Sequence, residues 1–409
     1  MKKRPHRSPT THNRQPATDN RPPPPLHGIT VVDFSRVLAG PLCTQMLGDA
    51  GARVIKVEEP GRGDETRRWG PPFLHGVSSY FLSVNRNKES VTVNLKSAAG
   101  RDIARQLISR ADVVVDNFLP AQRRAYLGAI GGNGIHCSIS GFDPDSPDAE
   151  SPGYDLLAQA GSGLMAITGE ADGEPAKVGV ALADVLTAHH AASAILMALF
   201  ARERGGGGER IEISLFSSAV TSLVNVVQAA LVTGKEAGRY GNAHSSIVPY
   251  QVFHASDRPF AIGAGTDRHY VALCGQVIGR PELATDARYA NNASRVKNRA
   301  TLVPMLDGVF RTRRAAYWVE RCRRASVPAA LVQGVREALR TPAAAGLLVG
   351  IDHPVAGQYQ AVSNPLLFSG RRFPLRSAPP ELGQHTDAIL RELDFSARDI
   401  QKLRREQVI

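Results

Sequence analysis

Short apolar runs alternate with amphipathic stretches through the first half of the chain. β-branched runs predict buried strands over residues 29–34, 53–58, 90–94, 112–116 and 135–140. Between them, the pattern predicts helices over residues 41–50 and 98–109. This alternation is typical of an α/β protein with a parallel, Rossmann-like sheet. Because ligands bind beyond the carboxyl ends of such strands, we expect the chemistry in the loops after Phe34, Glu58, Asp116 and Ser140.

The second half of the chain has a different texture. A long helical pattern over 183–204 ends at four glycines, and a strand is predicted over 211–214. Beyond residue 241, strands over 249–255 and 260–263 precede several helices, one of them over 298–310, which predicts a smaller α+β domain. A strand over 358–362 and a helix near Asp399 are expected to return to the first domain. We therefore expect a large domain over 26–225, a small domain over 226–335 and a C-terminal return over 336–409.

Charge and composition narrow the class of protein. The 409 residues carry a net charge of +11, and the first 25 hold six Lys or Arg against one Asp. That Pro- and Arg-rich segment, residues 1–25, is predicted to be a disordered extension because it has little to bury. The four cysteines lack metal-ligand or redox spacing, which favours reduced thiols in the cytoplasm. We expect no nucleic-acid partner, because no such motif occurs, and no membrane partner, because no apolar run approaches roughly 20 residues.

Several ordered motifs give the chain a resemblance to a known family. The segments 33–41 (DFSRVLAGP), 51–58 (GARVIKVE), 85–90 (NRNKES), 153–160 (GYDLLAQA) and 382–386 (LGQHT) resemble those of the family III CoA-transferases. The resemblance covers about residues 26–409. Within the family, segments 66–73 and 241–251 are most similar to enzymes that act on succinyl-CoA and glutarate or related dicarboxylates. The resemblance implies an interlocked homodimer and an acyl-CoA thioester as substrate, with no tightly bound cofactor.

Asp184, in the segment 180–187, is the predicted catalytic residue. The residue pattern by itself makes it an N-cap or first-turn acid of a mostly apolar helix. The resemblance implies that it is the covalent nucleophile, and the two roles are compatible. A carboxylate that attacks a thioester forms a mixed anhydride and releases CoA thiolate. The thiolate then forms an aspartyl-CoA thioester, and an acceptor carboxylate runs the steps in reverse.

The resemblance also implies where CoA and the acyl group bind. The predicted CoA contacts are Val37, Leu38, Val93, Lys96, Asn117, Phe118, Arg124, Gly141 and Phe142. Oxyanion donors are predicted at Gly263 and Gly265, although a strand-end turn explains that Gly-x-Gly equally well. Arg36, with Arg67 and Arg68, is a candidate for the distal carboxylate of a dicarboxylic acyl group.

Some of these assignments have alternatives or departures from the family pattern. Arg124 also fits a solvated helix face, and each of the three arginines also fits an ordinary surface position. Leu119 and Ala121 depart from the family's usual Asn-Phe-Arg-Pro-Gly, and the segment after Phe118 is several residues short. We expect no metal site, because no third ligand stands at a suitable spacing from the pair 189–190 (HH).

Two other functions compete with CoA transfer. The α-methylacyl-CoA racemases share the fold and need a histidine and an aspartate as acid and base. The racemase histidine falls at Tyr154 here, and a phenol with a pKa near 10 is a poor base at neutral pH. A non-catalytic CoA- or nucleic-acid-binding protein is the second alternative, which the basic charge suggests and the retained Asp184 motif disfavours.

Overall fold

A computed structural model describes residues 23–128, 130 and 134–409. Most of the predicted extension, residues 1–22, lies outside the described residues. The strands are β1 Thr30–Asp33, β2 Arg53–Glu58, β3 Phe73–Leu74, β4 Val77–Ser78, β5 Lys88–Thr92, β6 Val113–Asp116, β7 Ile135–Ser140, β8 Arg210–Ser214, β9 Tyr250–His254, β10 Pro259–Gly263, β11 Ala329–Leu331, β12 Leu348–His353 and β13 Gly357–Val362.

The helices cover both faces of the main sheet and most of the second half of the chain. They are α1 Ala39–Asp49, α2 Ser79–Val84, α3 Ala98–Ser109, α4 Pro120–Leu127, α5 Asp155–Gly161, α6 Leu182–Glu203, α7 Leu215–Thr221, α8 Asn225–Thr233, α9 Asp267–Ala272, α10 Glu282–Thr285, α11 Asn292–Lys297, α12 Arg299–Phe310, α13 Ala315–Arg324, α14 Val335–Ala338, α15 Thr386–Glu392 and α16 Ala397–Arg405.

The main sheet is parallel, and its strand order is β5-β2-β1-β6-β7-β8. The predicted α/β class with a Rossmann-like sheet is therefore confirmed. The order reverses between β1 and β6, which pair through Val31 and Val113. In sheets of this type a crevice opens at the reversal, so the loops after β1 and β6 form the natural ligand site.

Two apolar layers cover the main sheet. Successive residues of a strand point to opposite faces, so Val31 packs with α1 and α6, whereas Val32 packs with α3, α15 and α16. The C-terminal helices belong to this second layer through Leu390 and Leu403. The backbone N–H of Asn94 donates to the carbonyl of Val408 at 2.7 Å, which closes the chain end onto the loop after β5.

The part of the chain from β9 to β11 forms a smaller unit with its own sheet. Its antiparallel sheet has the order β11-β10-β9 and packs against α9, α12 and α13. Phe310 is fully buried at the centre, with ring centroids 5.0 Å from Phe253, 5.2 Å from Phe260 and 5.3 Å from Trp318. This aromatic cluster gives the unit its own hydrophobic core, while the domain boundaries given above stay a prediction.

One strand begins earlier than its apolar pattern suggests. The apolar pattern predicts a strand that starts at residue 90. In the structure β5 begins two residues earlier, at Lys88, whose side chain is fully buried. The Nζ atom of Lys88 lies 3.1 Å from Asp33 and donates to the carbonyl of Pro41 at 2.9 Å. Because a lysine interrupts an apolar pattern, the hydrophobic pattern alone does not predict that the strand starts at Lys88.

Apolar side chains remain exposed on α6 and on α8, and we call this set of residues the α6–α8 face. It consists of Leu196, Met197, Phe200, Leu231 and Val232, which are 45–75% exposed. By length and composition alone α6 is able to cross a membrane, but many of its residues pack into the core. None of the residues of α8 is buried.

Candidate active site

The loop after β1 leads directly into the N-terminus of α1. Asp33 ends the strand and accepts hydrogen bonds from the backbone of Ser35 at 2.9 Å and from the hydroxyl of Thr44 at 2.6 Å. Val37 follows with a φ of 72°, an unfavourable conformation for a β-branched residue. Its N–H lies 3.2 Å from the carboxylate of Asp64. These bonds hold a strained turn at the point where the helix begins.

Two buried ion pairs pack against this turn. Lys88 pairs with Asp33 at 3.1 Å and Lys56 pairs with Asp64 at 2.9 Å, and all four side chains are fully buried. Burial lowers the pKa of Lys88 to about 8, although the charge of Asp33 opposes that shift. Each buried charge has a partner, so the layer holds the start of α1 without leaving an isolated ion.

Asp184 lies at the third position of α6, in its first turn. The backbone N–H of Ala39, the first residue of α1, faces its carboxylate and favours the ionised form. Burial raises the pKa of Asp184 to about 7, the charge of Asp155 adds to the rise, and the Ala39 N–H opposes it. The side chain is half-buried, so it remains open to a substrate. Two helix N-termini therefore meet at one carboxylate whose pKa lies near neutrality.

Two further residues of the site escaped the sequence reasoning. Asp155 begins α5, and its Oδ1 atom accepts from the N–H of Ala183 at 2.9 Å. Burial raises the pKa of Tyr80 to about 12, and the charges of Asp184 and Asp155 contribute. Tyr80 thus presents a neutral phenol beside the carboxylate. Asp155 lies in the quoted motif 153–160 without a role attached, and Tyr80 carries no sequence signal.

A cavity of about 410 Å³ opens at the reversal of the strand order. Five of the predicted site residues line it: Arg36, Arg68, Val93, Lys96 and Phe118. The side chain of Asn117 joins the two loops, because it accepts from the N–H of Arg36 at 3.0 Å and donates to its carbonyl at 2.8 Å. Val37 and Leu38 belong to the same loop, although they do not line the cavity.

A second cavity of about 420 Å³ lies on the other side of α4. Arg124 and Phe142 line it, and Arg124 reaches Glu150 at 3.4 Å. Gly141 stands at its edge, where a Cβ atom would meet the Cα of Gly153 at 2.5 Å. Only glycine allows these two backbones to approach so closely, and the contact holds the start of α5 against the end of β7.

The remaining predicted residues lie apart or are already engaged. Gly263 and Gly265 are in the small unit, where Gly263 lines an open hollow with Tyr250. In the described part of the chain, no hydrogen bond joins either glycine to Asp184. Arg67 contacts both carboxylate oxygens of buried Glu58, at 2.7 and 2.8 Å, and stacks over Phe81. Arg67 is therefore occupied in the fold, whereas Arg36, which pairs with Glu65 at 2.9 Å, faces the first cavity.

Comparisons with known proteins identify relatives of the chain. The chain matches CoA-transferase family III over residues 26–386. It is 39% identical over 398 residues to succinyl-CoA:glutarate CoA-transferase of Mus musculus, covering 95% of this chain and 91% of that protein. It is 38% identical to acetyl-CoA:oxalate CoA-transferase of Acetobacter aceti, covering 92% of this chain and 97% of that protein.

A solved structure shares the whole fold. The crystal structure of a CAIB/BAIF family protein from Brucella suis is 38% identical, with a TM-score of 0.80 over 91% of this chain and all of that one. The chain belongs to CoA-transferase family III, and it is a CoA-transferase.

Proposed function

We propose that this enzyme transfers CoA from succinyl-CoA to glutarate or a related small carboxylic acid, with Asp184 as the covalent nucleophile. The observation that carries the proposal is the half-buried Asp184 carboxylate, which has a pKa of about 7 and lies at the N-termini of α1 and α6. A carboxylate ionised just above neutral pH retains more basicity than an ordinary aspartate. It is therefore suited to attack a thioester and then to leave again.

The chemistry runs through three covalent intermediates on Asp184: a mixed anhydride with the donor acid, an aspartyl-CoA thioester and a mixed anhydride with the acceptor acid. An Asp184 oxygen attacks the succinyl carbonyl, the C–S bond breaks, and CoA leaves as thiolate. The thiolate attacks the aspartyl carbonyl of the anhydride, which releases succinate and leaves an aspartyl-CoA thioester. The acceptor carboxylate attacks this thioester, which forms a second mixed anhydride and releases CoA thiolate. The thiolate then attacks the acceptor carbonyl, which gives the product acyl-CoA and frees the Asp184 carboxylate. The neutral phenol of Tyr80 and the backbone N–H of Gly40 at the start of α1 are the candidate donors for the oxyanions of these steps.

Some of the predicted CoA contacts line the first cavity and others line the second. The first cavity is lined by the apolar side chains of Val93 and Phe118 and by Arg36 and Lys96, which pair with Glu65 and Glu59. We assign the nucleotide end of CoA to this cavity, where a phosphate would compete with those two carboxylates for the cations. The second cavity offers Arg124 and Phe142 farther along α4 and β7. Val37, Leu38, Asn117 and Gly141 complete the proposed path on loops between them, and no cofactor beyond the CoA thioester is required.

A trapping experiment tests the mechanism. Incubation with succinyl-CoA and no acceptor is expected to acylate Asp184, and hydroxylamine is expected to convert it to the hydroxamate. Peptide mapping by mass spectrometry should place the modification on the peptide that contains Asp184. Carried out in heavy water, the same experiment addresses the racemase alternative: solvent deuterium in the recovered acyl-CoA, with Asp184 unmodified, would refute CoA transfer through Asp184.

The identity of both substrates is open to a direct assay. The relatives differ in donor and acceptor, since one is named for succinyl-CoA and glutarate and the other for acetyl-CoA and oxalate. Both donors should be measured against glutarate, malate, citramalate, itaconate, oxalate and carnitine. We expect the highest kcat/KM for succinyl-CoA with a dicarboxylate, and a preference for carnitine would contradict this assignment.

We further propose that the enzyme works as a cytoplasmic homodimer. The α6–α8 face consists of large apolar side chains that are exposed in the single chain, and a second copy of the chain would cover them, as in many symmetric oligomers. Among the residues that the structure describes, the predicted oxyanion donors Gly263 and Gly265 have no hydrogen bond to Asp184, which fits a site completed by the partner. The four cysteines are free and buried, which suits a reducing compartment.

A further inference from the structure

The buried side chain of Gln159 connects α5 to the segment that precedes α6. Its exposed fraction is 0%, and both ends of its amide are engaged. The Nε2 atom donates to Asp155 Oδ2 at 2.8 Å and to the carbonyl of Val180 at 3.3 Å. The Oε1 atom accepts from the N–H of Val178 at 2.8 Å. The orientation of the amide is unambiguous, because a backbone N–H requires the oxygen and a carboxylate requires the NH₂ group.

These bonds converge on the start of α6. A helix leaves its first N–H groups without partners inside the helix. The N-cap residue of α6 is Ala181, which has no side chain that is able to accept a hydrogen bond. Asp155 supplies the missing acceptor from another helix, since its Oδ1 atom binds the N–H of Ala183 at 2.9 Å. Asp184 is the next residue along the chain.

We propose that Gln159 is a positioning residue for Asp184, because it holds Asp155 and the 178–180 backbone in the arrangement that caps α6 at Ala183. Without the Gln159 amide, Oδ2 of Asp155 and the N–H of Val178 lose their hydrogen-bond partner, whereas the carbonyl of Val180 keeps only the N–H of Leu182 at 2.8 Å. The first turn of α6 then has several arrangements available instead of one. This role rests on the proposed function of Asp184, and Gln159 itself does not touch the substrate.

Two variants separate positioning from simple loss of packing. Gln159→Leu removes all three bonds and adds no charge. Gln159→Glu keeps the size and the acceptor for Val178, but it is unable to donate to Asp155 when ionised. We expect kcat to fall about 10- to 100-fold in both variants, as for a small misplacement of a reacting group. We expect the KM for succinyl-CoA to stay within about twofold, because the cavity residues are unchanged.

The pH profile supplies a readout that a merely structural role would not move. Gln159→Glu places a second negative charge beside Asp155, which already raises the pKa of Asp184. The acidic limb of the kcat/KM profile is therefore expected to move to higher pH in Gln159→Glu. It should stay at the wild-type position in Gln159→Leu, which adds no charge.

Gln45 is the matched control. It is also a buried glutamine, and its amide bridges the carbonyl of Ser83 at 3.2 Å and the N–H of Arg86 at 3.1 Å. Gln45→Leu is expected to lower the melting temperature to a similar extent while kcat per folded molecule stays near wild type.

Three outcomes decide between the possibilities. Wild-type kcat in Gln159→Leu, or a loss no larger than that of Gln45→Leu, would overturn the positioning role. If Gln159→Leu does not fold, Gln159→Glu carries the same test through kcat and the pH profile. A wild-type enzyme that transfers CoA to none of the acceptors would instead refute the proposed function, so the two failures are distinguishable.

Discussion

At the residue scale, the central feature is the Asp184 carboxylate, because some of its neighbours raise its pKa and others lower it. Burial and the neighbouring Asp155 raise the pKa of Asp184, whereas the N–H of Ala39 favours the ionised form. The balance leaves Asp184 half-ionised near pH 7. The enzyme therefore tolerates an unfavourable ionisation at the position where it needs a nucleophile.

Removal of this carboxylate should abolish activity. We expect Asp184→Ala to fold and to lose CoA transfer by about 10³-fold or more, because no other group is available to carry the acyl intermediate. Initial rates with succinyl-CoA and the best acceptor measure the loss. Substantial activity in a sample free of wild-type contamination would contradict the mechanism.

The same residue should make stability depend on pH. Because the folded-state pKa of Asp184 is raised to about 7 from 3.8, the folded protein binds this proton more tightly than the unfolded chain. The ionised carboxylate therefore destabilises the fold above about pH 7, and the penalty disappears as pH falls towards 4. Asp184→Asn should melt about 2–4 °C above wild type at pH 8. By pH 5 the difference should be smaller, and an unchanged difference between the two pH values would argue against the raised pKa.

At the scale of elements, the site depends on how closely the β1–α1 turn packs. Gly40 lies at the second position of α1, where a Cβ atom would come 2.2 Å from the side chain of Ser35. No side chain fits there unless the start of the helix moves. Since the N–H of Ala39 favours the ionised form of Asp184, such a movement changes the surroundings of the nucleophile as well as the packing.

A pair of glycine substitutions tests this coupling. Gly40→Ala should destabilise the protein by about 1–3 kcal/mol and lower kcat, because it overpacks the turn. Gly308→Ala, inside α12 with nothing within 4 Å of its Cβ position, should stabilise by about 0.4–1 kcal/mol and leave kcat unchanged. Chemical denaturation and initial rates measure both. Equal behaviour of the two variants would show that the tight turn does not matter.

At the scale of the whole molecule, the exposed α6–α8 face is the feature that calls for a partner. Phe200 is 64% exposed on this face and Met197 is 70% exposed. If the face is the centre of a homodimer, Phe200→Asp should produce monomers at micromolar concentration, because it buries a charge in an apolar interface.

Analytical ultracentrifugation checks this prediction. Val335→Asp is the control, because Val335 is 79% exposed on α14, outside the face. It should leave the sedimentation coefficient unchanged. A wild-type protein that sediments as a monomer would exclude the homodimer, and a dimer unaffected by Phe200→Asp would place the interface elsewhere.

The hydrophobic pattern was sufficient for most of the main sheet. The strands β2 and β7 and the helix α3 have the predicted bounds, because short β-branched runs and amphipathic stretches report local burial directly. The pattern did not predict α8, whose residues are apolar but not buried within the chain. A pattern of apolar residues indicates burial and does not say whether the same chain or another supplies it.

The sequence by itself determined the α/β class, the family and the candidate nucleophile, because each of these depends on residues adjacent in the chain. The tertiary structure alone decided the state of that nucleophile. Asp155 precedes Asp184 by 29 positions, yet it caps the same helix turn and raises the pKa of its carboxylate. The tertiary structure also decided that the Arg67 guanidinium pairs with Glu58, so Arg67 is not available to bind a substrate. Desolvation and charge pairing act through space, so only the folded chain specifies which groups become neighbours.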